Sequence, residues 1–280
     1  MKHILLPTDF SPNAYQAISY ALQLFKDEVC TFFLLHTYTP VVYNADYMQS
    51  AAAQFEIMDA VKTASLDGLK RVVNKIEADF SNPKHHIKTL SAFNTLTQEI
   101  KNVVSKHHIN YVVMGTQGAT GAKEILFGSN TVHAFKDATC PVLAVPATYN
   151  FQKPKDILFS TDYEITYQDK NIQPFAEIAK LHGAKLHSLH VSFGHELTAL
   201  QKENKAALQT MLSGLAHQFH NVRDEAVSSA IMAFQKETPV QMLAMINNKH
   251  SFFENLFFKS RINQIGFHIK IPFLVIPSYR

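Results

Sequence analysis

Residues 2–35, KHILLPTDFSPNAYQAISYALQLFKDEVCTFFLL, carry the pattern that decides the fold. Ile4 to Leu6 form an apolar run that is too short for a helix, and Ser11 followed by Pro12 is a typical helix start. Apolar residues then recur at helical spacing. Cys30 to Leu35 form a second continuous apolar run, which is typical of a strand covered on both faces. The order strand, helix, strand indicates a parallel sheet.

The same alternation continues as far as residue 145. The patterns that follow residue 35 predict a polar loop over 38–50, helices at Phe55–Phe80, Thr95–His107 and after Gly128, and strands at Ile87–Phe93, Tyr111–Met114 and Val142–Val145. Five strands alternating with helices predict an α/β fold of the doubly wound, Rossmann-like kind, in which helices flank both faces of a parallel sheet.

The chain repeats this plan once. KHILLPTD (Lys2–Asp9) recurs as KDILFSTD (Lys155–Asp162), LLHT (Leu34–Thr37) is answered by SLHV, and PVLAVP near residue 146 is answered by PFLVIP near residue 277. We therefore predict two repeated domains, 1–148 and 153–280, each with a five-stranded parallel sheet flanked by helices. The third strand of the second copy, near Phe219–Val222, is the weakest of the predicted strands.

Composition excludes several classes of protein. The 280 residues are 46% hydrophobic and 18% charged, which is too apolar for a disordered chain. Lys and Arg total 26 against 23 Asp and Glu, so the net charge of +3 does not fit a dedicated nucleic-acid binder. No apolar run is long enough for a membrane span. Cys30 and Cys140 lack metal-ligand spacing, and we expect a protein of the reducing cytoplasm.

A glycine-containing loop follows the fourth predicted strand. Gly115-Thr-Gln-Gly118 is separated by nine residues from Gly128-Ser129-Asn130-Thr131. Glycines at the carboxyl edge of a parallel sheet let backbone N–H groups turn toward a ligand, and a helix that begins at Gly128-Ser129 favours an anion at its N-terminus. The hydroxyls of Ser129 and Thr131 add donors. The alternative is that these glycines only shape the loop. Their position at the sheet edge favours a phosphate site. Neither a Rossmann fingerprint nor a Walker loop is present.

These motifs resemble those of the universal stress proteins, whose ATP-binding members carry Gly-x2-Gly-x9-Gly-Ser/Thr after the fourth strand. Asp9 after the first strand and LLHT at the end of the second stand in the same order. The resemblance covers both halves and identifies the chain as a tandem member. It implies that the fifth strands, Val142–Val145 and Phe273–Ile276, pair edge to edge, so that the two halves form a pseudo-dimer within one chain. Whether whole chains also form a homodimer stays open.

The resemblance also implies a binding site for an adenine nucleotide in the first half. It places Asp9 at the ribose and adenine, the backbone of Thr37 beside the adenine, Met114 against the base and the glycine loop around the phosphates. The residues that it assigns to ATP are Pro7, Thr8, Asp9, Thr37, Met114, Gly115, Gln117, Gly118, Gly128, Ser129, Asn130 and Thr131. It leaves open whether Mg²⁺ accompanies ATP, and whether ATP or AMP is preferred.

The second copy departs from the nucleotide-binding pattern. Asp162 and Ser260 are retained, but a gapless alignment places bulkier residues where the three glycines of the first half stand, namely Ile246, Lys249 and Lys259. The run SFFENLFF (Ser251–Phe258) adds further bulk. We therefore expect no ATP in the second half, which would serve as a scaffold for the first. A different apolar or anionic ligand there is the alternative.

Histidine-rich stretches suggest no metal site. His85-His86 and His107-His108 are adjacent pairs, whose side chains point to different faces of a helix or strand, and we expect them at the solvated surface. His36 ends the second strand, where a hydrogen bond to backbone explains a histidine as well as catalysis would.

The predicted function is a regulatory, ATP-binding role in the stress response, with no catalytic residues and with a protein partner that the sequence does not identify. One alternative is slow ATP hydrolysis or self-phosphorylation at Ser129 or Thr131. The other is a nucleotide-independent adaptor or lipid-binding protein that uses the second half.

Overall fold

The computed structural model of the chain describes residues 1–39, 51–116, 127–223, 226–248 and 270–278. The first half contains β1 (Lys2–Pro7), α1 (Pro12–Leu24), β2 (Cys30–Tyr38), α2 (Ala51–Asp79), β3 (His85–Phe93), α3 (Leu96–His107), β4 (Tyr111–Gly115), α4 (Ser129–Asp137) and β5 (Val142–Val145). The second half contains β6 (Asp156–Ser160), α5 (Asp169–His182), β7 (Lys185–Ser192), α6 (Ala199–Met211), β8 (His217–Arg223), α7 (Val227–Glu237), β9 (Met242–Asn247) and β10 (Phe273–Pro277).

The ten strands form one sheet in the order β3-β2-β1-β4-β5-β10-β9-β6-β7-β8. Each half contributes five strands in the same relative order, and every neighbouring pair within a half is parallel. The halves meet where β10 pairs antiparallel with β5, with Leu274 opposite Leu143. The predicted α/β fold and the predicted pairing of the fifth strands are therefore confirmed.

Local sequence explains where the helices begin and end. The Ser11 hydroxyl accepts a hydrogen bond from the Ala14 N–H at 3.2 Å, and Pro12 occupies the first turn of α1. α5 ends at His182 and is capped by Gly183, whose φ of +69° is the left-handed conformation that glycine adopts without strain. The weakly predicted strand of the second half is β8, an edge strand with only half-buried and exposed side chains, so its hydrophobic pattern is faint.

The sheet separates two layers of buried side chains. Because alternate strand residues face opposite sides, Ile4 and Leu6 pack in the layer beneath α1, α2, α5 and α6, whereas Leu5 packs with α3, α4 and α7. Both layers run across the two halves of the chain. No helix among the described residues is both long enough and apolar enough to cross a lipid bilayer.

Side chains also join the two halves away from the strand junction. His182 Nε2 lies 2.9 Å from the carbonyl oxygen of Leu24, and the Gln16 amide donates to the carbonyl of Tyr149 at 2.6 Å. Tyr149 is buried in the segment that connects the halves. The boundary that we predict at residues 148–153 therefore lies in a packed connection, and the division into domains at those residues stays a prediction.

Candidate functional site

The candidate site lies at the carboxyl edge of the first-half sheet, where the strand order reverses. β1 pairs with β2 on one side and with β4 on the other, and the chain continues from β1 to β2 but returns to β4 only after β3. In open α/β sheets such a reversal leaves a crevice beyond the strand ends, and ligands bind there. Pro7 and Gly115 are the last residues of β1 and β4, and Thr37 is the last but one of β2, so the topology brings together the predicted residues of these three strands.

The turn after β1 is held by its own side chains. The Thr8 hydroxyl accepts a hydrogen bond from the Phe10 N–H at 3.0 Å, and Asp9 Oδ1 accepts one from the Ser11 N–H at 3.0 Å. Phe10 has a φ of +65°, and its ring stacks on the His36 imidazole with centroids 4.3 Å apart. Thr8 is buried and Asp9 is exposed, so the Asp9 carboxylate reaches solvent at the crevice.

The second half repeats this turn in detail. Tyr163 has a φ of +57°, donates its N–H to the Thr161 hydroxyl at 3.2 Å and stacks on His190 with centroids 4.9 Å apart. Asp162 Oδ1 accepts from the Glu164 N–H at 3.1 Å, as Asp9 does in the first half. The sequence prediction included both aspartates but missed the aromatic residue that follows each. The signal was present, because Thr-Asp-Phe and Thr-Asp-Tyr stand in the two copies of the repeat.

His36 and His190 are packing residues of these turns. His36 Nδ1 is 2.8 Å from the Ser65 hydroxyl, which is itself 2.8 Å from the hydroxyl of Ser91. His190 Nδ1 is 3.1 Å from the carbonyl oxygen of Thr161. Burial lowers the pKa of His36, against the opposing effect of the Asp9 charge, and burial likewise lowers the pKa of His190. The backbone hydrogen bond expected of a strand-end histidine is therefore found at His190, whereas His36 uses serine side chains.

The two ends of the glycine loop are tied together at its base. The Gly128 N–H donates to the carbonyl of Thr116 at 2.6 Å, and the Thr116 N–H donates to the carbonyl of Val145 at 3.1 Å. The Thr131 hydroxyl donates to the carbonyl of Gly115 at 2.9 Å. These bonds fix the start of α4 next to the end of β4. Two predicted residues of the loop, Gln117 and Gly118, lie outside the described residues.

The N-terminus of α4 faces the crevice edge. Gly128 is its N-cap, with φ −61° and ψ 155°, and Ser129 and Asn130 are exposed in its first turn. The first N–H groups of a helix have no partner within the helix, so this turn suits an anion. Thr131 is only 2% exposed, and its proton is used in the bond to Gly115. Its hydroxyl therefore shapes the loop here, and phosphate donors are better sought at Ser129 and Asn130.

The remaining predicted residues differ in their exposure. Pro7 and Met114 are buried, and Met114 packs in the layer beneath α3 and α4, which leaves its side chain largely inside the core. Thr37 is half-buried near the end of β2. The predicted contact with adenine is made by the backbone of Thr37, which lies at the crevice edge near the end of β2.

Large buried side chains lie at the equivalent strand ends of the second half. Tyr163 is 1% exposed, and it shares one buried cluster with Tyr167 and Ile246, the residue aligned with Gly115. The hydroxyls of Tyr167 and Thr161 are 2.5 Å apart. The second-half residues aligned with the rest of the glycine loop, Lys249, Lys259 and Ser260, and the run Ser251–Phe258 lie outside the described residues.

Metal-binding and thiol chemistry have no support in the described part of the chain. No group of three or more His, Cys, Asp or Glu side chains there is arranged to hold a metal ion. Burial raises the pKa of the Cys30 thiol to about 11 and that of Cys140 to about 12, as expected of core residues. His85 differs from our expectation of solvated histidines, since it is half-buried with Nε2 at 3.1 Å from the carbonyl of Phe25.

Comparisons with known proteins agree with the α/β fold described above. The model of the universal stress protein family matches residues 1–146. Two universal stress proteins of Methanocaldococcus jannaschii are similar to this chain, one 30% identical over 157 residues (55% of this chain and 84% of the relative) and one 26% identical over 156 residues (51% and 94%). The crystal structure of a universal stress protein from Archaeoglobus fulgidus superposes with a TM-score of 0.69 at 19% identity. It covers 99% of this chain and 96% of the other, and this likeness shows that the whole ten-stranded fold is shared.

Proposed function

Because this chain belongs to the universal stress protein family, we propose that it is a cytoplasmic, regulatory protein of the stress response that binds ATP in its first domain only. The domain would comprise residues 1–148. The nucleotide would lie in the crevice between the ends of β1 and β4. Bound ATP would contact the two ends of the loop between Gly115 and Gly128 and so change a surface that a partner protein reads, which is the difference in contacts that a switch requires.

The observation that carries the proposal is the closed base of the glycine loop. The bond from the Gly128 N–H to the Thr116 carbonyl sets the N-terminus of α4 beside the carboxyl end of β4, at the point where strand order reverses. A helix N-terminus at such a place suits a phosphate group without a lysine or arginine.

Each part of ATP has residues that fit it. The exposed first turn of α4, with Ser129 and Asn130, would hold the phosphates, and the exposed Asp9 carboxylate would accept hydrogen bonds from the ribose hydroxyls. The backbone of Thr37 would lie beside the adenine. Mg²⁺ bound together with ATP would neutralise part of the triphosphate charge. In the second half, the buried Tyr163, Tyr167 and Ile246 leave a poorer fit, and we propose that it binds no nucleotide.

The test is calorimetric titration of ATP into the full chain and two glycine variants. Gly128→Val adds bulk at the loop base, and the Gly128 φ of −61° is one that valine adopts, so the helix should still form. Gly214→Val is the matched control, because a Cβ at Gly214 has no heavy atom within 4 Å. We expect one ATP per chain for the wild type and for Gly214→Val, and none for Gly128→Val. No ATP binding by the wild type at millimolar concentration, or equal binding by both variants, would show that the proposed site is wrong.

A further inference from the structure

A cavity of about 510 Å³ lies between α1 and α2, beside the turn that follows β1. Its lining includes the apolar side chains of Phe10, Tyr15 and Val72, together with Arg71 and Lys75 of α2. The volume is within the range of small-molecule sites in proteins, which also combine an apolar lining with a few polar groups. Of the residues assigned to ATP, Thr8 is in this lining, but the residues of the α4 N-terminus are not, so the cavity is distinct from the proposed phosphate site.

Gly68 of α2 packs directly against the Phe10 ring, and both residues line the cavity. A Cβ at Gly68 would lie 2.4 Å from two carbon atoms of the Phe10 ring, so the ring occupies space that any other residue would fill. The corresponding turn of the second half is packed differently. There Asn204 of α6 is 4% exposed and donates to the carbonyl of Tyr163 at 2.8 Å, and Tyr167 is buried in the same cluster as Tyr163. Side chains thus fill the space next to the second turn, whereas a glycine stands next to the first.

The charges around the cavity leave one cation uncompensated. Lys75 forms an ion pair with Asp79 at 2.9 Å, and the Tyr15 hydroxyl donates to the same carboxylate at 2.7 Å. Arg71 has no hydrogen bond or ion pair with any described residue, and Asp67, one turn earlier on α2, makes no ion pair with it there. A guanidinium is a cation with five hydrogen-bond donors, so Arg71 adds a positive charge to the lining.

A hydroxyl donor lies in the same lining. The Ser11 oxygen accepts from the Ala14 N–H, which leaves the Ser11 proton free to donate to a ligand. The lining therefore offers a cation and a hydroxyl donor beside an aromatic and aliphatic wall.

We propose that this cavity is a second binding site of the chain, and that its ligand is a small amphipathic organic anion. The acidic head group, a carboxylate, sulfonate or phosphate ester, would bind Arg71 and Ser11, and the apolar body would pack on Phe10, Tyr15 and Val72. The inference stands on the cavity and its charges, and it does not depend on ATP binding at the glycine loop.

The experiment is a fluorescence titration of the full chain, free of nucleotide, with anilinonaphthalene sulfonate, an aromatic anion of the proposed class. Arg71→Gln removes the uncompensated cation, and Lys70→Gln is its matched control, because Lys70 is the preceding exposed cation on α2 but does not line the cavity. We expect saturable binding of one probe per chain, weakened at least about fivefold by Arg71→Gln and unchanged within about twofold by Lys70→Gln. The proposal is overturned by a wild type without saturable one-site binding, or by two variants of equal affinity.

Two further arms locate the probe and define the ligand. Gly128→Val should bind the probe as the wild type does, since the proposed phosphate site is elsewhere; a parallel loss would place the probe at the glycine loop and contradict the inference. Decanoate should displace the probe, whereas inorganic phosphate at the same concentration should not. If inorganic phosphate displaces the probe and decanoate does not, the apolar side chains contribute nothing to binding, and the proposed ligand class is wrong.

Discussion

Phe10 and Tyr163 each adopt a left-handed backbone conformation that residues other than glycine disfavour. A non-glycine residue in the left-handed region costs about 1–2 kcal/mol. Both residues stay there because a threonine hydroxyl accepts the residue's N–H and a histidine ring stacks on its side chain. The repeat of Thr-Asp-aromatic is visible in the sequence, but the left-handed turn is not, because the stacking partners come from the neighbouring strands.

We expect even a methyl side chain at Gly68 to destabilise the fold. Alanine is favoured over glycine in a helix by about 1 kcal/mol. At Gly68, however, the added Cβ meets the Phe10 ring at 2.4 Å, and overpacking of this kind costs about 1–3 kcal/mol. We expect Gly68→Ala to lower the free energy of unfolding by about 1 kcal/mol in urea titrations. Gly214→Ala, where a Cβ has open space, should be neutral or slightly stabilising. Equal stability of the two variants would contradict this account of Phe10.

At the scale of elements, three strands of the second half share a chain of polar side chains. His187 Nε2 of β7 is 2.8 Å from Asp156 Oδ1 of β6, and His187 Nδ1 is 3.0 Å from His220 Nε2 of the edge strand β8. The Phe234 ring of α7 packs against both imidazoles. If one proton is added to these three side chains, every hydrogen bond can be kept. A second added proton would put an N–H of His187 against an N–H of His220.

The hydrogen-bonded side chains of Asp156, His187 and His220 predict that the protein loses stability in mild acid. Burial lowers the pKa of His220, and the neighbouring His187 and Lys185 lower it further. A histidine whose pKa is lower in the folded state stabilises the fold above its unfolded pKa of about 6.5, and this stabilisation is lost as the pH falls from there toward the folded pKa. We expect the free energy of unfolding to fall between pH 7.5 and 5.5, and to fall less in His220→Gln, whose amide can still donate to His187.

The control for this pH prediction is His86→Gln, on the opposite edge strand β3. His86 is exposed, so its replacement should leave the pH dependence as in the wild type. Part of the dependence should also persist in His220→Gln, because burial lowers the pKa of His36, His182 and His190 as well. The lowered pKa values of Asp79 and Glu177 act in more acidic solution. A His220→Gln variant with the full wild-type pH dependence would show that the histidine contact is not coupled to folding.

Most elements could be predicted from the sequence because their side-chain patterns are strong. The continuous apolar runs of β1, β2 and β4 are buried on both faces, and Ser11-Pro12 marks a helix start without ambiguity. β8 was the weak case, since an edge strand buries little, and its pairing depends on contacts such as His187 with His220. Sequence patterns also predicted the position of the glycine loop, but not the use of the Thr131 proton, which depends on where α4 begins relative to β4.

At the scale of the whole molecule, the second half supports the α4 helix of the first. Phe273 of β10 packs against Phe135 of α4 with ring centroids 5.5 Å apart and against Phe127 at 6.0 Å. The Asn247 amide donates to the carbonyl of Phe135 at 2.8 Å. α4 thus rests on residues of both halves. The repeat predicted that the fifth strands pair, but no single-copy pattern shows which side chains cross that junction.

Removing the Phe273 ring should therefore weaken both the fold and the proposed ATP site. Phe273→Ala should lower the free energy of unfolding by about 3–5 kcal/mol, because its ring is fully buried. ATP affinity in the first half should fall too, since Phe127 and Phe135 flank the loop base. Phe193→Ala is the control; its side chain is 62% exposed, and we expect a change within about 0.5 kcal/mol and no effect on ATP. Wild-type ATP affinity in a folded Phe273→Ala would contradict the supporting role of the second half.

The central claim is that two nearly identical turns differ in function, with ATP bound beside the first only. Asp9 and Asp162 accept the same backbone hydrogen bond, at 3.0 and 3.1 Å, so alanine at either position removes the same turn contact. The decisive measurement is calorimetric titration of ATP into Asp9→Ala and Asp162→Ala chains. We expect Asp162→Ala to bind one ATP per chain with wild-type affinity, and Asp9→Ala to bind at least about tenfold more weakly. Equal affinities in the two variants, or two ATP molecules bound per wild-type chain, would contradict the claim.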